Sequence, residues 1–589
     1  MSPKPAKGPH LTYRPGLDGL RALAVIGVFL YHMRTHAPWL PGGFLGVDLF
    51  FVLSGYLITS ILLIEWDHHR RIDLLRFWGR RARRLFPAVV VVVLGSLLLS
   101  AIFARADLAK TRSDTLSSLF YYNNWHQIHA NESYFNRMGL PSLLTHFWSL
   151  AVEEQFYIVW PLVLVPALIF FGRRYLMLGV AVGIAASATE MWLLYPGPSN
   201  PSRVYYGTDT RLFLLLMGIE LALVWPYVER IRRSLPLLDL LGFVALGITI
   251  WLFVTLVDFD SVIYQGGDLA AAFCFAVLIG AVAHPRSLIG KAFGVAPLRW
   301  IGERSYGIYL WHWPILALTR PGVDVRWTGP GLVIAQAALT VAAAALSYRF
   351  VEQPIRMGKL QRHLAEVGPQ RRRELIAGGT VALVAAFALL FVAPSATSAQ
   401  QSEPTAHHHP PGDTTPTTNP KPPPDHHKTK HRLPRGHMLA IGDSVMKGCA
   451  SALRPALRYR VHVDAVESRQ IDDTITDLDH YRAKNQLPKI VIIQVGNNGP
   501  LISDDLTRLK AALRGVTDIV VVNVRNATSW QDESNQHITT WLDGWHTAHL
   551  ADWYHHSNDR MLYDGTHPMP DGCLIYAHVI RMALLGTTA

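Results

Sequence analysis

Hydrophobic positions along the chain change their pattern near residue 396. Before it, long apolar runs alternate with short polar segments. Pro87–Phe103, Leu237–Val257 and Ile376–Val392 are nearly free of charge, and each is about the length of a helix that crosses a bilayer. We count about eleven such spans by length and apolarity. Their centres lie near Ile26, Leu53, Gly95, Val159, Val182, Leu216, Ala245, Ala276, Leu310, Ala338 and Ala385. The pattern predicts a polytopic α-helical membrane domain.

The rest of the chain has two further patterns. Ser, Thr, Pro and His dominate residues 397–436, a composition that cannot bury a core and is typical of a semi-extended tether. From His437, the short apolar runs Met438–Ile441, Ile490–Val495 and Ile519–Val524 alternate with polar, helix-like stretches, which predicts a parallel sheet flanked by helices. The predicted organisation is a ten-span domain over 11–360, a linking transmembrane helix over 375–396, a disordered linker over 397–436 and an α/β/α domain over 437–589.

The net charge of +12 is concentrated in short loops between apolar spans. Positive-inside topology explains this more simply than nucleic-acid binding, so no nucleic-acid partner is expected. The alternation predicts a cytoplasmic N-terminus, and an odd number of spans then places the C-terminal domain outside the cytoplasm. The loops assigned to the inside include His68-His69-Arg70-Arg71, Arg80-Arg81 with Arg83-Arg84, Arg173-Arg174 and Arg371-Arg372-Arg373. Three cysteines are too few for a disulfide scaffold or a zinc site, and no metal is expected.

Candidate catalytic residues lie at the ends of the predicted strands of the terminal domain. Ser444 follows the first strand in Gly442-Asp443-Ser444, on a turn that exposes its hydroxyl at the start of a helix. A nucleophilic serine needs a base and an orienting carboxylate, which His567 and Asp564 supply. The Asn497 amide and the Ser468 backbone N–H are candidate donors to an oxyanion.

These blocks resemble an SGNH hydrolase domain over residues 437–589, whose motifs are Gly-Asp-Ser, a central Gly, Gly-x-Asn and Asp-x-x-His. The second block departs from the pattern, because Asp464–Gln470 contains no glycine. Ser468 stands as the alternative donor there. The Arg469-Gln470 pair resembles the acyltransferase-linked branch of the superfamily.

Cys449 and Cys573 each lie five or six residues beyond a candidate catalytic residue, Ser444 or His567. The catalytic geometry would bring the two helix starts together in an oxidising compartment. A disulfide near the site is therefore a hypothesis, with two free thiols as the alternative.

Polar residues are costly inside a membrane span, so those of the first span are candidates for a function. Arg21 and His32 are about three helical turns apart on one face, roughly 16 Å along the axis. The histidine can accept and return a hydroxyl proton, and the arginine can hold a phosphate or polarise a carbonyl. The alternative is that both side chains extend to opposite membrane interfaces.

Five motifs in order resemble the acyltransferase-3 family and cover about residues 11–360. They are Tyr13–Ala22 followed by His32, Gly42–Tyr56, Phe147–Tyr157, Ser305–Pro314, and Ser347-Tyr348 with Val351–Pro354. The resemblance implies a multi-pass protein of the bacterial cell membrane. It also implies His32 as the essential histidine with Arg21 as its partner, Arg81 and Arg84 as coenzyme ligands, and Glu154 as an interior carboxylate. Glu153 and His312 are further candidates. The alternative for the arginines is a plain positive-inside role.

The function implied is transfer of an acyl group, most simply acetyl, from cytoplasmic acetyl-CoA or another acyl-CoA to a hydroxyl of a cell-envelope carbohydrate. Ser444 would carry the group as an acyl-enzyme. The competing hypothesis is a glycan transporter or flippase fused to an esterase. The sequence leaves the acceptor glycan and the oligomeric state open.

Overall fold

The chain forms two compact units, which are described separately. The structure is a computed structural model. The residues it describes are 12–33, 40–103, 108–130, 142–195, 201–230, 235–258, 260–319, 325, 330–358, 366–392, 433–434, 436–466, 469–526, 530–558, 561–562 and 566–586. Nearly all of the predicted linker over 397–436 lies outside these residues.

The first unit is helical. Its helices are α1 (Pro15–His32), α2 (Leu45–His69), α3 (Leu74–Phe103), α4 (Leu108–Leu119), α5 (Asn123–His129), α6 (Phe147–Phe170), α7 (Gly172–Leu194), α8 (Ser202–Tyr206), α9 (Thr208–Val228), α10 (Leu235–Thr255), α11 (Asp268–Ala283), α12 (Leu288–Phe293), α13 (Ala296–Ala317), α14 (Pro330–Ser347), α15 (Gln353–Arg356) and α16 (Pro369–Val392). Short π-helical turns, Ile263–Gly267 and Tyr348–Glu352, precede α11 and α15.

Each of the predicted span centres lies within a helix of this unit. Among the described residues, 8 helices are long and apolar enough to cross a membrane. The polytopic class is therefore confirmed, whereas the number of eleven spans stays a prediction. Helices α1 and α13 are not among the eight, and they carry intramembrane polar residues such as Arg21 and His312. The side chains of α16 are described only in part.

Glycines bring two helix pairs into backbone contact. A Cβ added at Gly302 of α13 would collide with the carbonyl of Asp18 in α1. One at Gly55 of α2 would collide with the carbonyl of Leu215 in α9. Small residues allow such close approach because lipid supplies no hydrophobic force between helices. The α1–α13 contact places the polar residues of these two helices side by side.

Two buried ion pairs that share one arginine join α2, α9 and α11. The Arg211 guanidinium of α9 donates to the Asp48 carboxylate of α2, and to Asp268 of α11 at 2.7 Å. All three side chains are almost completely buried. The guanidinium also lies 4.7 Å from the centre of the Tyr205 ring. Because no water reaches these charges, each carboxylate depends on Arg211 for its neutralisation.

The second unit is an α/β domain. Its strands are β1 (Met438–Gly442), β2 (Val461–Ala465), β3 (Ile490–Gln494), β4 (Asp518–Val522) and β5 (Ala548–Ala551), all parallel in the order β2-β1-β3-β4-β5. Its helices are α17 (Ser444–Gly448), α18 (Ala450–Ala456), α19 (Ile471–Ala483), α20 (Ser503–Ala512), α21 (Gln531–Leu542), α22 (Trp553–His556) and α23 (Pro570–Leu584).

Both faces of the sheet are buried. Met438 and Ala440 of β1 pack in one core cluster with α18 and α23, and Leu439 and Ile441 pack in the other with α19 and α20. This alternation gives the predicted three-layer α/β/α fold. The carboxyl ends of the strands meet at one edge, so Ser444 after β1 and Asn497 after β3 are brought to the same side.

Replacement of Arg211 by methionine is expected to destabilise the helical unit strongly. It leaves two buried carboxylates unpaired, a change that costs about 3–5 kcal/mol. Thermal unfolding of the detergent-solubilised chain measures the effect. Arg203→Met is the matched control, because the ion pair of Arg203 with Asp209 is partly exposed and contributes about 0–1 kcal/mol. Equal midpoints for the two variants would contradict the role given to Arg211.

Cys449 and Cys573 form a disulfide that joins the start of α18 to α23, with 4.9 Å between their Cα atoms. It closes a loop with a sequence separation of 124 residues. Replacing both cysteines by alanine is expected to lower the free energy of unfolding of the C-terminal unit by about 2–5 kcal/mol. Calorimetry of the full chain measures this, with Cys274→Ala as the control. Non-reducing peptide mapping that recovers both thiols free would refute the pairing.

Candidate functional site

A cavity of about 440 Å³ opens within the helical unit. The predicted residues Arg21, Arg81, Arg84 and Glu153 all line it. They come from three helices, α1, α3 and α6, and the structure brings them together around one space. Several guanidinium groups facing one cavity suit a ligand with several phosphate groups.

Glu153 is held by two hydroxyl groups in this cavity. Ser54 of α2 and Tyr157, one turn further along α6, both donate hydrogen bonds to its carboxylate. Glu154 is half-buried and is not among the residues that line the cavity. Both carboxylates act electrostatically on Arg81. The cavity lining therefore includes Glu153 and not Glu154, and both residues stay candidates for the interior carboxylate.

His32 and His312 contact each other through their rings. His32 Nδ1 lies 3.2 Å from His312 Nε2 and 2.9 Å from the Val28 carbonyl oxygen. His312 Nδ1 donates to the carbonyl of Tyr309. This network assigns the proton of each ring to Nδ1, so that His32 donates to His312 and its own Nε2 carries the lone pair. In this arrangement Nε2 is the His32 nitrogen that can accept a proton.

Tyr309 connects the histidine pair to the cavity. Its side chain lines the cavity and shares a 2.5 Å hydrogen bond with Ser149, another lining residue. Its carbonyl is the acceptor for His312. His32 and His312 do not line the cavity themselves. Sequence reasoning did not select Tyr309 or Ser149, although both stand inside quoted motifs, because the motifs do not reveal which of their residues meet.

In the second unit, Ser444 and His567 form the pair that the sequence predicts. His567 Nε2 lies 2.9 Å from Ser444 Oγ, and both residues are largely buried. Ser444 is the first residue of α17, so developing negative charge lies at a helix N-terminus. Asp564 and Ser468 lie outside the described residues, and their roles stay predictions.

Asp443 and Asn497 face each other beside this pair. Asp443 Oδ1 accepts the Val445 N–H at 3.0 Å, and Oδ2 accepts the Asn497 amide at 2.8 Å. Burial raises the pKa of Asp443 to about 6, while the bonds from Asn497 and Val445 act in the opposite direction. Sequence reasoning assigned Asp443 only to the motif. Its contact joins the ends of β1 and β3, which no local pattern predicts.

Arg469 anchors the loop that departs from the SGNH pattern. Its buried guanidinium donates to the Gly442 carbonyl at 3.3 Å, and to Asp464 and Asp477 at 2.8 Å. Burial alone would raise the pKa of the Asp464 carboxyl. The hydrogen bond and the positive charge of Arg469 oppose burial, and the pKa of Asp464 is lowered. Arg469 therefore ties the segment between β2 and α19 to the end of β1.

The chain is similar to a family model and to several known proteins. The family model described as an acyltransferase domain matches residues 14–349. The peptidoglycan O-acetyltransferase OatA of Listeria monocytogenes is 38% identical over 616 residues, with 97% of this chain and 98% of that protein covered. The O-acetyltransferase OatA of Staphylococcus aureus is 36% identical over 570 residues, with 94% and 93% covered.

A solved structure of the C-terminal catalytic domain of the Streptococcus pneumoniae peptidoglycan O-acetyltransferase A, carrying a methylsulfonyl adduct, is also similar. It is 20% identical, with a TM-score of 0.24, and covers 26% of this chain and 98% of that one. The family match spans more than half of the chain, and the relatives extend over nearly all of it. The chain belongs to the acyltransferase-3 family and is a membrane O-acyltransferase.

Proposed function

We propose that this chain moves an acetyl group from cytoplasmic acetyl-CoA across the membrane to a hydroxyl group of peptidoglycan. The helical unit accepts the group from the donor, and Ser444 delivers it on the outer side. The observation that carries the proposal is the Ser444–His567 hydrogen bond of 2.9 Å in a chain whose other unit is an acyltransferase domain.

The arginine-lined cavity supports a donor site for acetyl-CoA. Arg21, Arg81 and Arg84 offer charged donors to the phosphates of the coenzyme. Arg81 and Arg84 also lie within the segment 66–86, which the charge alternation assigns to the cytoplasmic side, where the coenzyme is available. The cavity has the size range of a small-molecule site.

The histidine pair supports proton transfer within the helical unit. His32 Nε2 accepts the proton of the hydroxyl group that attacks the acyl carbonyl and returns it to the leaving group, and His312 stabilises the intervening charge through its bond to His32 Nδ1. Glu153 and Glu154 are the interior carboxylates proposed to act with the arginines. In this hypothesis His312 orients His32.

At Ser444 the chemistry is ordinary acyl transfer. His567 Nε2 removes the hydroxyl proton as Ser444 Oγ attacks the acyl carbonyl, and the oxyanion receives N–H donors from Asn497 and the backbone. The bond between the acyl carbon and the oxygen or sulfur atom of the acyl donor breaks, that atom leaves with the proton from His567, and an acyl-serine remains. A glycan hydroxyl then attacks, with His567 as base again. Asp564 orients His567, and Ser468 contributes a backbone donor.

The names of the relatives support peptidoglycan as the acceptor. The Listeria monocytogenes protein is a peptidoglycan O-acetyltransferase and is similar over nearly the whole chain. We extend this acceptor to the present chain because the match includes both units and not the membrane domain alone. A fused acyl supplier also raises the local donor concentration at Ser444.

Ser444→Ala is expected to abolish peptidoglycan O-acetylation, because the acyl group then has no hydroxyl to enter. Acetate released from purified cell wall by base measures the product. The matched control is Ser503→Ala, which changes an exposed serine at the start of α20. Mass spectrometry of the active chain should also find acetyl on the peptide that contains Ser444.

The esterase alternative predicts the opposite sign. If Ser444 hydrolysed acetyl esters of the wall, Ser444→Ala would raise O-acetylation above that of the unmodified chain. That result would contradict the proposal and leave the helical unit with another acceptor.

Arg81→Gln and Arg84→Gln are expected to raise the KM for acetyl-CoA about tenfold or more, because a hydrogen bond to a charged group contributes about 1.5–3 kcal/mol. Acetyl transfer by the solubilised chain measures this. Hydrolysis of a chromogenic acetyl ester, which needs only the site around Ser444 in the C-terminal unit, should not change.

Arg83→Gln is the control for these variants. Arg83 stands between the two arginines in sequence, but it is exposed, bonds to the Gly79 carbonyl at 3.0 Å and does not line the cavity. An equal rise in KM for all three variants would indicate general surface charge instead of a donor site.

A further inference from the structure

Asp443 is a fully buried carboxylate next to Ser444, and it accepts hydrogen bonds of two kinds. Oδ1 accepts the Val445 N–H and caps α17. Oδ2 accepts the Asn497 side-chain amide at 2.8 Å. The first bond supports the local helix, whereas the second crosses from the end of β1 to the end of β3. A helix cap needs only the first of them.

The second bond selects one orientation of a side chain that has two. The carboxamide of Asn497 can turn by half a rotation, which exchanges its NH2 and its oxygen. An ionised carboxylate only accepts, so Asp443 holds the NH2 toward itself and leaves the second N–H of the same nitrogen for another acceptor. A reversed amide would present an oxygen, which repels an oxyanion.

The main chain around Asn497 is already fixed by other contacts. The carbonyl of Gly496 accepts from Trp530 Nε1 at 3.0 Å, and the carbonyl of Asn497 accepts from Asn526 at 3.3 Å. Gly496 has a φ of +100°, and a Cβ there would meet Val524 and Leu501. The backbone contacts therefore place Asn497 at the edge of the sheet. The hydrogen bond to Asp443 fixes the rotation of its side-chain amide.

We propose that Asp443 is a positioning residue that acts through Asn497, holding its amide N–H toward the oxyanion formed at Ser444. The inference rests on the proposed acyl transfer at Ser444. Donors that are oriented before the reaction cost no reorganisation in the transition state, which is the reason that a fixed amide accelerates the step.

A second aspartate accepts a helix N–H and an asparagine amide at the ends of β4 and β5, where Ser444 has no counterpart. Asp552, after β5, accepts the Asn523 amide at 2.8 Å and caps α22 through the His555 N–H. Asn523 follows β4 as Asn497 follows β3. Asp552→Asn therefore removes an equivalent carboxylate from the same sheet edge and controls for structural damage.

The experiment compares Asp443→Ser, Asp443→Asn, Asn497→Ala and the double variant Asp443→Ser with Asn497→Ala in the full solubilised chain. Serine keeps an acceptor for the Val445 N–H but is too short to reach Asn497. Asparagine instead turns an NH2 toward Asn497 and favours the reversed amide. The readout is kcat and KM for a chromogenic acetyl ester, with Ser444→Ala as the background, and thermal unfolding reports the folded state.

Asn497→Ala should lower kcat about 10²–10³-fold, as expected for the loss of an oxyanion donor. Both Asp443 variants should lower kcat about tenfold or more with KM unchanged, because only the transition state loses a contact. The double variant should lose no more than Asn497→Ala alone, because Asp443 acts through an amide that is no longer present. Asp552→Asn should leave kcat unchanged.

The proposal is overturned if the losses of Asp443→Ser and Asn497→Ala multiply in the double variant, or if Asp443→Ser loses no more than Asp552→Asn. It also fails if Asn497→Ala keeps full activity while Ser444→Ala has none, a result that leaves acyl transfer at Ser444 intact. Full activity of Ser444→Ala would instead refute the proposed function itself.

Discussion

A charge that lies among apolar helices must find its partner inside the protein, because lipid offers neither a hydrogen bond nor a counterion. Arg211 meets this constraint with Asp48 and Asp268, and the result is a clip between three helices. Arg21, Arg81 and Arg84 line a cavity, where a ligand can complete their interactions. The arginine side chain therefore serves packing at Arg211, and the proposed function gives it a binding role at the cavity.

The constraint also acts in the α/β unit. Asp443 is buried at the end of β1, and burial raises the pKa of its carboxyl to about 6. The bonds from Asn497 and Val445 offset part of that cost. Arg469 links the ends of β1 and β2 through the Gly442 carbonyl in a similar way. Buried polar groups thus fix the strand ends from which the site is built.

Sequence periodicity predicted the helices and strands better than the contacts between them. Every predicted span centre falls in a helix, and β1, β3 and β4 were predicted from their apolar runs. The edge strands β2 and β5 were missed because polar residues such as His462, Asp464 and His549 interrupt them. The His32–His312 contact joins residues separated by 280 positions, beyond any local pattern. Which of Glu153 and Glu154 lines the cavity depends on the helix rotation of about 100° per residue, which the motif alone does not give.

A serine and histidine at hydrogen-bond distance are the machinery of hydrolases as well as of transferases, so Ser444 and His567 do not by themselves select the acceptor. In the proposed mechanism, the selection comes from what reaches the acyl-serine first. The fused helical unit would keep the donor at high local concentration, and the burial of Ser444 and His567 limits the access of water. A preoriented Asn497 amide would accelerate acylation and deacylation alike, and would therefore set the rate without setting the acceptor. Transfer to a glycan would then depend on the acceptor being held at the sheet edge when the acyl group arrives.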